Sequence, residues 1–150
     1  MAPVIAASAG FLIAVLWFDL MFDVQVWPHR RAAQAPDSAL ASSAAYYRRV
    51  TTDASPMGRL VGLIMAVLLV GLAAQAVSGD APIWVSAVSF PCALLAISLA
   101  ALRVFGRARR LGSRTDSPAV QTALARTILR DHLVCLAAMS VLMATQIVAA

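Results

Sequence analysis

The sequence contains no lysine, no glutamate and no asparagine: all twelve basic side chains are arginine and all seven acidic ones are aspartate. An Ala- and Arg-weighted composition of this kind reflects a GC-rich genome rather than an activity. Cysteine is almost missing too, with Cys92 and Cys135 alone and no C-x-x-C spacing. That removes the redox pair a quinone-linked thiol oxidoreductase needs. No nucleophile stands beside a base, no glycine-rich loop suits a phosphate, and no metal motif closes.

Charged residues are scarce, 13% of the chain, while 61% is hydrophobic and the mean hydropathy is +0.82. A soluble domain is about half apolar, so these figures point to a membrane. A spanning helix needs about 20 mostly apolar residues, each adding about 1.5 Å against a hydrocarbon core about 30 Å thick. Four stretches qualify: Pro3–Phe22, with the single charge Asp19, and Leu60–Val77, Ile83–Leu102 and Leu133–Ala150, with none. The expected fold is all-α, one domain over residues 1–150, with spans near 3–23, 58–78, 82–104 and 128–149 and loops at 24–57 and 105–127. No positive charge precedes the first span, which runs into Asp19 and Asp23 rather than a small-residue cleavage site, so it reads as a retained helix and not a signal peptide.

Every arginine falls in the two long loops or at their edges, and Ser78-Gly79-Asp80-Ala81-Pro82 between the middle spans has none. The positive-inside rule then puts both loops in the cytoplasm and both termini outside, an N-out/C-out bundle in the inner or plasma membrane of a bacterium. The net charge of +5 and pI near 10.6 are spent on anionic head groups in this reading, not on nucleic acid. Asp37-Ser38 can cap an interfacial helix with Leu40, Ala44, Tyr47 and Val50 on one face. Asp116-Ser117-Pro118 is a helix start, and no breaker follows it, so the fourth helix is expected to outrun the bilayer. The two halves echo each other faintly in this plan.

Helices in lipid approach through small residues. Ala6, Gly10 and Ala14 on the first helix and Gly58, Gly62 and Ala66 on the second form such stripes, and their mutual contact is the expected packing, with a homo-oligomer or a larger membrane complex as the other use. Pro91 should disturb the third helix and free a carbonyl for Ser89 or another helix to satisfy.

Ionisable groups are costly at the bilayer centre, so an acid in a span invites a functional hypothesis. Asp19 and Asp23, spaced i, i+4, share one helix face. With Arg59, Arg103, Arg130, Asp131 and His132 at the other helix ends, they define a candidate polar vestibule at the cytoplasmic mouth. One reading has Asp19 paired with Arg59, Arg103 or Arg130 as a fastening, with Asp23, Asp131 and His132 in the wet interface. The sharper reading makes Asp19 and His132 working groups that exchange a proton or hold a cation or polar substrate. Trp17, Phe18, Phe22 and Trp27 near the aspartates, with Trp84 at the outer end, read first as an aromatic belt and second as a wall for an organic cation.

No cofactor is expected, and haem and copper are the two to weigh. His132, Cys135, Met139 and Met143, with Gln146 beyond, form a soft-ligand stripe that would suit Cu(I), against the ordinary use of Met for packing and Gln for helix–helix bonding. Haem would need His29 and His132, both near the same boundary, with His29 in a loop after Pro28. Cys92 near mid-membrane and Cys135 near the cytoplasmic end differ too much in depth to pair. Length and four-helix plan are similar to those of the small glutathione-using membrane enzymes and the small multidrug exporters, but both depend on an intramembrane glutamate that this sequence lacks.

Three functions follow as expectations. The first is a small transporter, channel or accessory membrane subunit. The second is an enzyme acting on a lipid, quinone or other apolar substrate at the cytoplasmic interface, with His132 as acid or base and Asp19 or Asp23 orienting it. The third is a structural partner docking through Tyr46, Tyr47 and the basic loops.

Overall fold

Proline marks where helices begin. Pro3, Pro56 and Pro118 stand in first turns, where a missing N–H costs nothing. The structure, a computed structural model, describes residues 1–149, with the backbone alone at position 55. Ala150, which closes the last apolar stretch, lies outside the described residues. Helix α1 (Ala2–Asp23) runs into a 3-10 turn (Val24–His29), followed by α2 (Asp37–Arg48) and a π-helical turn (Arg49–Asp53). Helices α3 (Ser55–Ser78) and α4 (Ile83–Leu99) make a hairpin; a second π turn (Ala100–Val104) joins α4 to α5 (Phe105–Ser113), and α6 (Pro118–Val148) follows. Four helical runs are long and apolar enough to cross a membrane: Ala2–His29, Pro56–Ser78, Ile83–Ser113 and Pro118–Val148. Their outer faces carry exposed Leu63, Val70, Val77, Leu94 and Leu102, a surface suited to hydrocarbon and not to water.

Helix α6 is the centre of the bundle. It packs between α1 and α4, and α3 closes the ring against the same two. At 31 residues it is about 46 Å long, well beyond a hydrocarbon core of about 30 Å. Its first turns project beside α2 and α5, where Leu40, Tyr47, Leu111 and Ile128 form a core of their own. The stretch expected as a second loop, 105–127, is therefore nearly all helix, turning only at Arg114–Ser117. Arg114 takes φ 56°, the left-handed conformation that ends α5. The hairpin turn holds to its sequence signal: Gly79 adopts φ 68° past the end of α3 and Pro82 precedes α4.

Several expectations are corrected. Neither Asp-Ser pair caps its helix with a side chain; Asp37 takes Arg114 at 2.6 Å and Asp116 takes Arg110 at 2.7 and 2.8 Å, because a guanidinium is the stronger donor. The face of α2 with Leu40, Ala44 and Tyr47 is buried against α5 and α6, so it covers protein and not a lipid surface. The echo between the halves ends at connectivity, since α5 continues α4 through a π turn while α2 stands apart.

The small-residue stripes do not mate. Ala14, Gly62 and Ala66 are exposed, and a Cβ on Gly10 or Gly62 would meet nothing within 4 Å. The α1–α3 contact lies further along, where Gly71 admits Ile5 at 3.1 Å from an ideal Cβ, with Leu68 and Leu72 buried beside it. Ser89 does not serve the backbone near Pro91. Its hydroxyl accepts a bond from Gln146 Nε2 at 3.1 Å, while Gln146 and Gln75 exchange amide bonds of 3.0 and 3.1 Å. All three are buried, and they tie α3, α4 and α6 as polar side chains do where the hydrophobic effect cannot.

Candidate functional site

About 21 Å along α6 from Gln146, at the rise of a helix, the end of the bundle that carries the arginines holds a second polar network. The i, i+4 spacing puts Asp19 and Asp23 on the face of α1 that meets α6. Between them stands the ring of His132. Its Nδ1 lies 2.6 Å from Asp23 Oδ2, and its Nε2 lies 3.8 Å from Asp19 Oδ2. With Asp23 ionised, its carboxylate can only accept, so Nδ1–H donates to it, and Nε2 faces Asp19.

The outer ends of both aspartates are closed by α2. Tyr46 donates to Asp19 Oδ1 at 2.7 Å and Tyr47 to Asp23 Oδ1 at 2.6 Å. The result is a line of five side chains from three helices: Tyr46, Asp19, His132, Asp23, Tyr47. Phe22 stacks on Tyr46 with ring centres 4.1 Å apart, and Tyr47 meets Tyr46 edge-on. Burial, then the charge of Asp19, pushes the Tyr46 phenol far above its ordinary value; burial, then the charge of Asp23, does the same to Tyr47. Both hydroxyls stay protonated donors at any physiological pH.

Asp131, next to His132, faces away from that line into a second group. Arg107 reaches it at 2.9 Å, Arg103 at 3.4 Å and Arg130 at 3.5 Å. The candidate vestibule residues therefore divide. Asp19, Asp23 and His132 come together, Arg103, Arg130 and Asp131 form a separate ion cluster, and Arg59 is exposed and joins neither. No arginine pairs with Asp19 among the described residues, and Asp23, Asp131 and His132 are buried in protein and not in a wet interface. Sequence reasoning missed Arg107 and the role of the two tyrosines. Their signal was available: α2 had a visible apolar face, and Tyr47 lay on it.

The soft-ligand stripe is drawn to different partners. His132 is bonded to Asp23 through Nδ1 and faces Asp19 with Nε2 at 3.8 Å, Cys135 Sγ lies 3.6 Å from the carbonyl of Ala96, and Gln146 belongs to the network described above. No group of three His, Cys, Asp or Glu able to hold a metal occurs among the described residues. His29 ends the 3-10 turn, where its carbonyl accepts from Arg126, and the contacts of His132 do not include it. Cys92 and Cys135 are both free thiols. Trp17, Phe18, Trp27 and Trp84 are exposed, as a belt requires, and of the aromatic residues around the aspartates only Phe22 turns inward to Tyr46.

Beside this network lies a cavity of about 420 Å³. Asp19, Tyr46, Tyr47 and His132 line one end; Leu16, Val61, Met65, Ile97 and Met139 are among its apolar walls. Gly58, Gly62, Ala96, Ala100 and Ala101 also line it. Gly62, which suggested a helix contact, thus leaves open space on the cavity, while Gly58 admits the Phe105 ring at 3.3 Å from an ideal Cβ. Both π turns contribute, through Val50 and Thr51 and through Ala100, Ala101 and Val104, and such turns inside helices recur at functional sites. Chemically, the cavity offers hydrocarbon along its length and an acceptor, a donor and a titratable ring at one end. Compared with protein-family models, curated proteins and solved structures, the chain matches no family, relative or fold.

Proposed function

We propose that this is a multi-pass protein of the cell membrane that takes a largely apolar small molecule into its bundle and presents it to the Asp19–His132–Asp23 line, as a small transporter does. The observation that carries the reading is the contiguity of an apolar cavity with a buried acid–imidazole network at one end. Pockets of about 300–1,000 Å³, apolar with few convergent polar groups, are the usual form of small-molecule sites. The arginines of the loops and of α5 support a cytoplasmic position for that end. Anionic head groups are the natural partners of Arg103, Arg107 and Arg130.

A second reading, an enzyme acting on an apolar substrate, draws on the fixed imidazole. Asp23 orients His132 and leaves Nε2 toward Asp19 and the cavity, the posture of a general acid or base. Asp19→Asn separates the two: a transporter loses movement or proton coupling while the protein accumulates normally, and an enzyme loses turnover. Docking through Tyr46 and Tyr47 is set aside, because both hydroxyls are engaged inside the protein.

The site itself is tested by photolabelling the protein in membranes with an alkyl diazirine. Labels on Leu16, Met65 and Met139 are expected, and should vanish in a Gly62→Leu/Ala96→Leu variant that fills the space. Labels confined to outward residues such as Val70 and Leu94 would refute the reading.

A further inference from the structure

Resting on the reading of the cavity as a ligand site, we propose that its ligand is a lipophilic amine, bound as the cation with its ammonium group on Asp19. Charge is the first support. Asp19 and Asp23 flank a single imidazole, so with both carboxylates ionised even a protonated His132 leaves a net charge of −1. The neighbouring guanidiniums of Arg103, Arg107 and Arg130 are gathered around Asp131 instead. An uncompensated carboxylate in apolar surroundings must take up a proton or meet a cation, and an ammonium group on the ligand supplies that cation.

Unused bonding capacity is the second. Both oxygens of Asp23 have donors, Tyr47 and His132. Asp19 Oδ1 takes Tyr46, but Oδ2 accepts no hydrogen bond among the described residues, and His132 Nε2 stands off at 3.8 Å, too long for one. The Asp19 side chain lines the cavity and keeps 14% of its surface accessible. An ammonium group there gains a charge-assisted bond to a waiting acceptor. An alcohol can fill the bond but leaves the charge, and an anion is repelled.

The walls define the rest of the molecule. Leu16, Val61, Met65, Ile97 and Met139 accept only an alkyl or aryl body. Met57, Ala101 and Phe105 line the cavity and are also exposed on the outside of the bundle, so an amine dissolved in the bilayer reaches the site between α3 and the π turn without passing through water.

The test uses two probes of one carbon skeleton, phenylbutylamine and phenylbutanol. Each is titrated calorimetrically onto the full-length protein in phosphatidylcholine nanodiscs, with empty nanodiscs giving the partition background. The wild type should bind the amine about tenfold or more tighter than the alcohol, the increment of a hydrogen bond to a charged group. Asp19→Asn should erase that preference and leave alcohol binding unchanged, while Asp80→Asn, in the exposed hairpin, should keep it. A wild type that binds the alcohol as tightly as the amine overturns the proposal, whether or not the variant folds. If both probes bind equally and the Gly62→Leu/Ala96→Leu filling abolishes both, the site stands and only the amine falls. Binding of neither probe above background, or binding that survives the filling, removes the site reading as well.

Discussion

Gly112 sits where α5 crosses α2, and replacing it with alanine tests how closely that crossing is built. A Cβ there would lie 2.7 Å from the amide nitrogen of Arg48, 3.0 Å from Arg48 Cα and 3.2 Å from the carbonyl carbon of Tyr47. All three are backbone atoms, so no rotamer change can clear them. Carbon contacts relax near 3.5–4.0 Å, so the helices must part by roughly 0.5–1 Å. Overpacking of this kind costs about 1–3 kcal/mol, offset by less than the roughly 0.5–1 kcal/mol that alanine gains over glycine inside a helix, because Gly112 lies in the last turn. Gly106 on the same helix has nothing within 4 Å of an added Cβ, so Gly106→Ala makes the same chemical change without the clash. The two variants should differ by about 1–3 kcal/mol, with Gly112→Ala the less stable; at roughly 2–4 °C per kcal/mol that separates their midpoints by about 2–12 °C. Thermal unfolding in detergent, followed by tryptophan emission, reads it. The displacement also pulls Tyr47 from Asp23, where its hydroxyl now sits at 2.6 Å. A Gly112→Ala protein that melts with or above Gly106→Ala would refute the close crossing and with it the rigid placement of Tyr47.

Tyr46 and Tyr47 are the only tyrosines, and both are raised above the ordinary value by burial and then by their aspartates. The neutral phenol is the folded form, so its contribution is complete below the unfolded pKa of about 10 and is lost as pH rises beyond it. Tyrosinate absorbance in detergent should stay flat through about pH 11 and then rise with unfolding; ionisation near 10 in the folded protein contradicts the network. Gln146→Leu leaves Gln75 and Ser89 without partners and should cost about 1–3 kcal/mol, and adding Gln75→Leu should cost less than the sum of the two single changes. Thermal melts of the four proteins decide it, and strict additivity would count against the reciprocal pair. Asp131→Asn removes the carboxylate shared by three arginines. Because their side chains are 32–67% exposed, solvent screening should hold the loss to about 1–2 kcal/mol and shrink it in high salt; a loss unaffected by salt would mean the cluster is more enclosed than its exposure indicates.

How much of this was legible in the sequence depended on the range of the signal. Apolar length marked the four spans, and Pro82 and Pro118 marked the starts of α4 and α6, because both signals act within one helix. The i, i+4 spacing of Asp19 and Asp23 and the position of His132 identified three of the five side chains in the line. Arg103 and Arg130, expected near Asp19 because they end or begin helices at the same side of the bundle, went to Asp131 instead, which lies one residue from His132 and about 100° around the helix. That rotation decides which acid meets the guanidiniums and which meets the ring. The glycine stripes misled for a related reason. A small residue permits close approach or leaves a void, and the neighbours on the other helices, not the stripe, select between them. Gln146 was read correctly as a residue that bonds across to another helix, but its partner Gln75 carried no pattern to single it out.

The cavity follows from winding as much as from residue size. Ala96, Ala100, Val104 and Ala108 all line it, at successive intervals of four. In an unbroken α-helix each interval drifts by about 40°, so the last of the four would be turned about 120° from the first and away from the space. The π turn at Ala100–Val104 winds fewer degrees per residue and takes back part of that drift, holding the four in one row. Alanine at three of those positions keeps the row shallow, and Gly58 and Gly62 do the same on the facing helix. The same unwinding sets the phase of α5, so that Arg103 and Arg107 both reach Asp131 while Gly112 meets α2. One irregular turn thus shapes the apolar space, directs Arg103 and Arg107 to Asp131 and away from Asp19, and brings α5 against the helix whose tyrosines hold Asp19 and Asp23. The polar line at the end of the cavity therefore has its chemistry written in α1 and α6 and its isolation written in the turn between α4 and α5.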